Sequence, residues 1–121
     1  GYMLFEGGGS STVEFMSNTR PLPMNRPELA VAHGLAAEYL GMNLLYLEAG
    51  SGAKESIPTG IITAVASETG LPFIVGGGIR TPELAREKVE AGASFIVTGT
   101  VVENTNDFSL LAKFAAAIHG V

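Results

Sequence analysis

The stretch Phe73-Ile-Val-Gly-Gly-Gly-Ile-Arg80 decides the fold, because an apolar run passes directly into three consecutive glycines. Two other apolar runs end in glycine, at Tyr46-Leu-Glu-Ala-Gly-Ser-Gly52 and at Phe95-Ile-Val-Thr-Gly-Thr100. The three clusters recur at about the length of one strand plus one helix, and each lies where a strand should pass into a helix. In a parallel α/β protein, this places all three on the face where such folds bind ligands.

The remaining pattern predicts four strand–helix units. Continuous runs of Val, Ile and Leu predict parallel strands at residues 1–5, 43–47, 71–75 and 94–98. The predicted helices cover residues 26–40, 58–69, 82–91 and 108–119. Residues 12–24 are predicted to be a polar connector, since Pro21 and Pro23 exclude a helix from its second half. No hairpin signal occurs, so the fold class is α/β with a parallel sheet.

Local signals mark the helix boundaries. Asn25 and Glu28 have the spacing of a capping box, and Gly41 is suited to ending that helix. Thr81 followed by proline predicts a strong helix start, and Asp107 predicts the cap of the last helix. The helix predicted at residues 26–40 has apolar residues close to helical spacing, at Leu29, Ala32, Ala36, Tyr39 and Leu40.

The composition limits the classes of function. The chain has 121 residues, of which 46% are apolar, so residues 1–121 are expected to form a single domain with its own core. A net charge of −5 without a Lys/Arg cluster argues against nucleic-acid binding. The absence of cysteine excludes disulfides and cysteine-based metal sites or catalysis. No run suits a membrane span and no signal peptide is recognisable, so we expect a cytoplasmic protein.

Four strand–helix units match half of an eight-unit TIM barrel, which takes about 250 residues. The phosphate site of such barrels usually lies in the loops after the seventh and eighth strands. Because the last two strands here carry glycine loops, we expect the C-terminal half of a barrel. Such a half would expose two edge strands and one apolar sheet face, and we expect it to associate with a partner half or with itself. The alternative is a complete flavodoxin-like domain, which has no natural place for three adjacent glycine clusters.

The glycine clusters are candidate anion-binding loops. Exposed backbone N–H groups at such turns hold anions, most often phosphate. Three consecutive glycines also permit close approach of the backbone to a ligand. The candidate phosphate-binding residues are Gly50, Ser51, Gly52, Gly76, Gly77, Gly78, Gly99 and Thr100. The alternative is a set of tight turns that bind no ligand.

Acidic, aromatic and basic residues lie next to these loops. Glu48 ends its strand two residues after Tyr46, so both side chains point to the same side of the sheet. Because a carboxylate is costly to bury without a function or a partner, Glu48 is the candidate general base. Tyr46 is a candidate for holding a phosphate or hydroxyl, or else a core residue. Arg80 is a candidate phosphate ligand or a partner of Glu83, and Glu6 could face the same cavity.

Three stretches together resemble one known family. They are Tyr-Leu-Glu-Ala-Gly-Ser-Gly-Ala at 46–53, Ile-Val-Gly-Gly-Gly-Ile-Arg-Thr at 74–81 and Ala-Gly-Ala-Ser-Phe-Ile-Val-Thr-Gly-Thr at 91–100. The chain resembles the C-terminal half of archaeal geranylgeranylglyceryl phosphate synthases, which are related to bacterial heptaprenylglyceryl phosphate synthases. Residues 23–42 also resemble this family, so the likeness covers almost the whole chain. The triple-glycine loop occurs in several phosphate-binding barrels, whereas the stretch at 46–52 is much more specific.

The resemblance implies a prenyltransferase. In that family the 3-hydroxyl of sn-glycerol 1-phosphate attacks C1 of geranylgeranyl diphosphate, forming an ether and releasing diphosphate, in archaeal membrane-lipid synthesis. Carried over to this chain, Glu48 would bind the glycerol hydroxyls and help to deprotonate the attacking one. Tyr46 would contact the glycerol phosphate, and the glycine loops would hold its phosphate group.

The resemblance also implies a Mg²⁺ cofactor, which takes up the charge that develops on the leaving diphosphate. The family's acidic ligand for this ion lies on the first barrel strand, in the half that this chain does not match. We therefore expect no metal ligand here, where His33 and His119 also lack metal-ligand spacing, and no turnover by this chain alone. Two other hypotheses remain: a self-assembling half-barrel that binds phosphate without catalysis, and a member of another phosphate-binding barrel family.

Overall fold

The structure, a computed structural model, describes residues 1–120 and confirms the α/β class. Val121, the last residue of the predicted domain, lies outside the described residues. The strands are β1 (Tyr2–Leu4), β2 (Leu45–Glu48), β3 (Phe73–Gly76) and β4 (Phe95–Val97). The helices are α1 (Thr12–Ser17), α2 (Pro27–Tyr39), α3 (Thr59–Glu68), α4 (Pro82–Glu90), α5 (Thr100–Glu103) and α6 (Phe108–His119).

The four strands pair in chain order, β1-β2-β3-β4, and every pair is parallel. A flavodoxin-like sheet places a later strand on the other side of its first one, at a switch point. This sheet has no such reversal within residues 1–120, so the flavodoxin-like alternative is wrong. Sequential parallel pairing is the arrangement of a TIM barrel.

The pairing register divides the strand side chains between two faces. Tyr46 lies between Tyr2 and Ile74, and Ile74 pairs with Phe95 on its other side. We call the face that carries these residues the open face. Its members are Tyr2, Leu4, Tyr46, Glu48, Ile74, Gly76, Phe95 and Val97.

The opposite face of the sheet forms the hydrophobic core. Leu45, Leu47, Phe73 and Val75 are buried there against helix residues such as Ile62. Much of the open face is exposed among the described residues: Tyr2, Phe95 and Val97 are 51%, 55% and 45% exposed, whereas Leu4 in β1 is buried. An uncovered apolar face is what the sequence predicts for half of a barrel.

The buried side of α2 differs from the apolar pattern in the sequence. Ala30, Gly34 and Ala37 are buried, whereas the large residues Tyr39 and Leu40 are exposed. A Cβ on Gly34 would lie only 2.9 Å from the Thr69 side chain. Small residues therefore let α2 pack closely on its neighbours, and a pattern based on large apolar residues does not identify this contact.

The ends of several helices agree with the sequence signals. The Thr81 side chain accepts a hydrogen bond from Leu84 N at 3.2 Å, and Asp107 accepts one from Ser109 N at 2.9 Å. Gly41 follows the cap of α2 with a φ of 80°. These two caps and the C-terminal glycine are confirmed.

Two predictions about the first half of the chain are wrong. The capping box does not form, because Arg26 occupies the N-cap position and pairs with Glu28 through its side chain. Residues 12–24 are not entirely connector, because Ser11 accepts a hydrogen bond from Glu14 N at 3.1 Å and starts α1. The segment Ser-Thr-Val-Glu has capping-box spacing, which is the signal that predicts this helix.

Candidate active site at the strand ends

A cavity of about 840 Å³ lies over the carboxyl ends of the strands. Ten predicted site residues line it: Tyr46, Glu48, Gly50, Ser51, Gly52, Gly77, Gly78, Arg80, Gly99 and Thr100. The structure therefore brings all three glycine clusters together at one site. Glu6 is exposed and does not line the cavity, so the prediction that it faces this space is wrong.

Gly76 lies beneath the site and does not line the cavity. It is buried in β3, where a Cβ would lie 2.7 Å from Tyr46 Oη and 3.0 Å from Glu48 Oε2. Carbon and oxygen atoms do not approach so closely without strain, so any larger residue would displace the two side chains. Gly76 supports the site by leaving this space to Tyr46 and Glu48.

The Glu48 carboxylate is held in place by the backbone. Its Oε1 accepts a hydrogen bond from Gly50 N at 2.7 Å. A Cβ on Gly77 would lie 2.7 Å from the same oxygen, and the φ of Gly77 is 85°, which favours glycine. The first glycine loop therefore orients the carboxylate, and the second leaves room for it.

Tyr46 is the aromatic partner of this carboxylate. Burial raises the pKa of Tyr46 well above that of an ordinary tyrosine, and the neighbouring side chain of Glu48 with its negative charge raises it further. The Tyr2 ring lies beside it, with the ring centroids 5.2 Å apart, and burial followed by the charge of Glu48 raises the pKa of Tyr2 as well. Both phenols are therefore protonated and uncharged at neutral pH.

The glycine loops present backbone donors to the cavity. The N–H groups of Ser51, Gly52, Gly77 and Gly78 donate no hydrogen bond to any other described residue. Ser51 and Gly52 are also exposed. Unpaired N–H groups around a cavity are suited to binding an anion.

Arg80 lines the cavity, but its guanidinium binds backbone carbonyls. One terminal nitrogen donates to Lys54 O at 3.0 Å, and the other donates to Ala53 O at 2.6 Å. The pairing with Glu83 that the sequence allowed does not occur in the structure. Arg80 and Glu48 are the charged residues of the cavity lining, so its other polar groups are neutral.

Sequence reasoning missed several residues of the cavity. Hydroxyl and amide side chains from three loops also line it: Ser10, Ser11, Thr12, Thr98, Asn104 and Thr105. Ser10 and Ser11 lie just before α1, and Thr12 begins this helix, whereas the sequence predicts a connector from residue 12. Thr98 ends the predicted fourth strand, and its position beside the third glycine cluster is the signal that identifies it.

The described residues do not build a magnesium site by themselves. Mg²⁺ is usually bound through one or two carboxylates together with substrate phosphates. Glu48 is the one carboxylate in the cavity lining, and its Oε1 is bound to Gly50 N. Residues 1–120 contain no group of three or more His, Asp or Glu side chains placed to hold a metal ion.

Comparison with known proteins identifies the family. The PcrB family model matches residues 1–117. The chain belongs to the PcrB family. Its helices, as far as residue 120, include none with the length and apolar character needed to cross a membrane.

Relatives of this PcrB family chain include geranylgeranylglyceryl phosphate synthases from archaea and bacteria. The protein from Methanosphaera stadtmanae is 48% identical over 120 residues, which are 98% of this chain and 49% of the relative. The protein from the bacterium Chitinophaga pinensis is 42% identical over 119 residues, which are 98% of this chain and 46% of the relative. The chain thus spans about half the length of the relatives it matches.

A solved structure has the same fold and a related sequence. The synthase from Thermoplasma acidophilum, in complex with its substrate sn-glycerol-1-phosphate, superposes with a TM-score of 0.92 and is 37% identical. The match covers 99% of this chain and 48% of that protein. The fold therefore matches about half of a TIM-barrel-type structure, as the sequence predicts.

Proposed function

We propose that this chain supplies the glycerol-phosphate half of a geranylgeranylglyceryl phosphate synthase. The reaction transfers a geranylgeranyl group from geranylgeranyl diphosphate to the 3-hydroxyl of sn-glycerol 1-phosphate. The observation that carries the proposal is the Tyr46–Glu48 pair, which faces a cavity surrounded by loops with unpaired N–H groups. The names of the relatives and the substrate bound to the Thermoplasma acidophilum protein support the same assignment.

The phosphate group binds to the glycine loops. Unpaired N–H groups of Ser51, Gly52, Gly77 and Gly78 supply the donors, and Thr100, at the start of α5, supplies a hydroxyl. Binding by neutral donors suits a site next to a carboxylate, because these donors do not form an ion pair with Glu48. The phosphate is therefore recognised by shape and hydrogen bonding more than by net charge.

The glycerol end lies at the Tyr46–Glu48 pair. Glu48 accepts the proton of the 3-hydroxyl as its oxygen forms a bond to C1 of the prenyl group. The bond between C1 and the diphosphate oxygen breaks in the same reaction, and diphosphate leaves with the electron pair. Tyr46, which its surroundings keep protonated, donates a hydrogen bond and orients the alcohol.

The complete enzyme also requires groups from outside this chain. Mg²⁺ is proposed as its cofactor, and the ion would neutralise the charge on the leaving diphosphate. The carboxylate arrangement described above does not provide its ligands, so these are assigned to the other half of the enzyme. We assign the prenyl-binding groove to that half as well.

A second half-barrel covers the open face in this proposal. Tyr2, Phe95 and Val97 expose apolar surface there, and β1 and β4 are the edges of the parallel sheet. Covering the open face removes this surface from water and pairs the two edges. The occupant is a separate half-barrel chain or, in the alternative without catalysis, a second copy of this chain.

A chimera tests the function directly. Residues 1–121 replace the matching half of the Methanosphaera stadtmanae relative, to which they are 48% identical. With Mg²⁺, the chimera should transfer radiolabelled sn-glycerol 1-phosphate to geranylgeranyl diphosphate and form an ether product. A chimera that folds and binds both substrates but forms no ether would overturn the proposal.

A further inference from the structure

We infer that Arg80 is a positioning residue, which holds the first glycine loop in its phosphate-binding shape. The inference rests on the proposed function, because it concerns the same phosphate site. Arg80 follows β3, whereas its two hydrogen-bond partners, Ala53 and Lys54, follow β2. The side chain therefore ties together two loops that are neighbours in space but 26 and 27 residues apart in the chain.

The segment that Arg80 holds is also bound from its other side. Lys54 N donates to Gly7 O at 2.8 Å, and Ala53 N donates to Gly50 O at 3.1 Å. The backbone N–H and C=O groups of Ala53 and Lys54 are thus bound by Gly50 in the same loop, by Gly7 and by Arg80. Ala53 and Lys54 are therefore held in place at the end of the first glycine loop.

The two residues just before Ala53, Ser51 and Gly52, have no backbone N–H hydrogen bonds to other described residues that would fix their positions. Both residues are exposed. Their positions depend on the segments on either side, Gly50 and Ala53. Gly50 is held by Glu48 through its N–H, and Ala53 is held by Arg80 through its carbonyl.

Arg80 is itself anchored to the rest of the site. Ile79, the preceding residue, is buried, and its carbonyl accepts a hydrogen bond from the Thr98 hydroxyl at 2.9 Å. Thr98 directly follows β4 and lines the same cavity. The loops after β2, β3 and β4 are therefore connected through Arg80 and the residue before it.

The arrangement favours this role over direct phosphate binding. Both terminal nitrogens of Arg80 already donate to carbonyl oxygens. A planar guanidinium with fixed donors can hold two adjacent carbonyls at once, which a lysine ammonium does less well. Without the Arg80 side chain, the first glycine loop would adopt its phosphate-binding conformation for only part of the time. If that fraction is about one tenth, the apparent affinity for phosphate falls about ten-fold.

The test compares Arg80→Ala and Arg80→Lys with Arg86→Ala, which removes an exposed arginine of α4 that does not line the cavity. Amide hydrogen exchange is measured over residues 50–55, and calorimetry measures the affinity for sn-glycerol 1-phosphate. We expect Arg80→Ala to accelerate exchange at Ala53 and Lys54 and to weaken binding about ten-fold. Arg80→Lys should recover part of both losses, and Arg86→Ala should change neither.

The other outcomes would each overturn the role of Arg80 or the proposed function. Weaker binding with unchanged exchange would mean that Arg80 is a direct phosphate ligand, and would overturn the inference. Faster exchange with unchanged affinity would overturn it too, because the loop shape would not matter for binding. If the wild-type chain and the chimera both bind no sn-glycerol 1-phosphate, the proposed function fails and the inference fails with it.

Discussion

Gly50 N donates a hydrogen bond of 2.7 Å to Glu48 Oε1, so the candidate base is bound by the loop that follows its own strand. This loop also supplies candidate phosphate donors. The positions of the candidate base and of the candidate phosphate donors are therefore coupled through one turn of backbone. A change that moves this loop should affect both proton transfer and substrate binding.

Replacing Glu48 by glutamine should separate these two functions. The glutamine carbonyl can still accept the hydrogen bond from Gly50, but it cannot take a proton from the alcohol. In the chimera, we expect transfer to fall by about 10²- to 10⁴-fold, the usual contribution of a general base. Binding of sn-glycerol 1-phosphate, measured by calorimetry, should change much less.

The matched control for this substitution is Glu6→Gln. Glu6 is a carboxylate in the loop after β1 that is exposed and does not line the cavity. This variant should retain full transfer activity. Unchanged turnover in Glu48→Gln would show that Glu48 is not the base.

The environment of Tyr46 predicts how stability depends on alkaline pH. Because the pKa of Tyr46 is raised in the folded state, the unfolded chain loses this proton first as the pH increases. The stabilisation is complete below about pH 10, the ordinary tyrosine pKa, and is lost as the pH rises above it. We expect the free energy of unfolding in urea to fall less steeply above pH 10 in Tyr46→Phe than in the wild type.

Glu48→Gln provides a second comparison for this pH effect. Burial is the largest cause of the raised pKa of Tyr46, and the effects of the neighbouring Glu48 carboxylate come after it. Glu48→Gln should therefore reduce the steepness of the decline only in part. Equal slopes in the wild type and in Tyr46→Phe would contradict the assignment of the effect to Tyr46.

Gly76→Ala should disturb the site from beneath. The new methyl group would lie 2.7 Å from Tyr46 Oη and 3.0 Å from Glu48 Oε2. Such overpacking typically costs about 1–3 kcal/mol, which urea unfolding can measure. Adding Tyr46→Phe removes the closest atom, so the double variant should recover part of the loss.

Gly60→Ala is the control for Gly76→Ala. Gly60 lies in α3, and a Cβ there would meet no atom within 4 Å. Alanine is a better helix former than glycine by about 0.5–1 kcal/mol, so this variant should be equally or more stable. A Gly76→Ala variant as stable as Gly60→Ala would show that the strand tolerates the methyl group.

The open face should determine the oligomeric state. Phe95 is 55% exposed on that face, whereas Phe108 is 84% exposed at the start of α6. We expect the wild-type chain to associate through the open face, and Phe95→Glu to prevent this because it would bury a charge. Phe108→Glu should leave the assembly intact. Light scattering gives the masses, and a monomeric wild type at high concentration would argue against association.

The sequence predicts most of the fold because glycine and proline mark the ends of its elements. The caps at Thr81 and Asp107 follow from local hydrogen bonding, which depends on a few adjacent residues. The close packing of α2 could not be predicted in this way. It depends on Gly34 having no side chain, and the sequence alone does not show that the Thr69 side chain occupies the space beside it.

The same limit applies to the candidate site. Gly76, Gly77 and Gly78 are identical in the sequence, but strand pairing places the first beneath Tyr46 and Glu48 and the other two at the cavity. The partners of Arg80 were also unpredictable, because they are backbone carbonyls and any residue type can supply them. Residue types indicate the chemistry of the site, whereas the strand register determines where in the site each residue lies.

The strand order has a consequence for how the site assembles during folding. All its proposed ligand-binding groups lie between residues 46 and 100, on strands that pair with their neighbours in the chain. Contacts between adjacent units close short loops and form early, whereas contacts between distant segments cost more chain entropy. Pulse-labelled exchange during refolding should therefore protect β2, β3 and β4 together. The phosphate site would then exist as a local folding unit, before any second half-barrel docks on it.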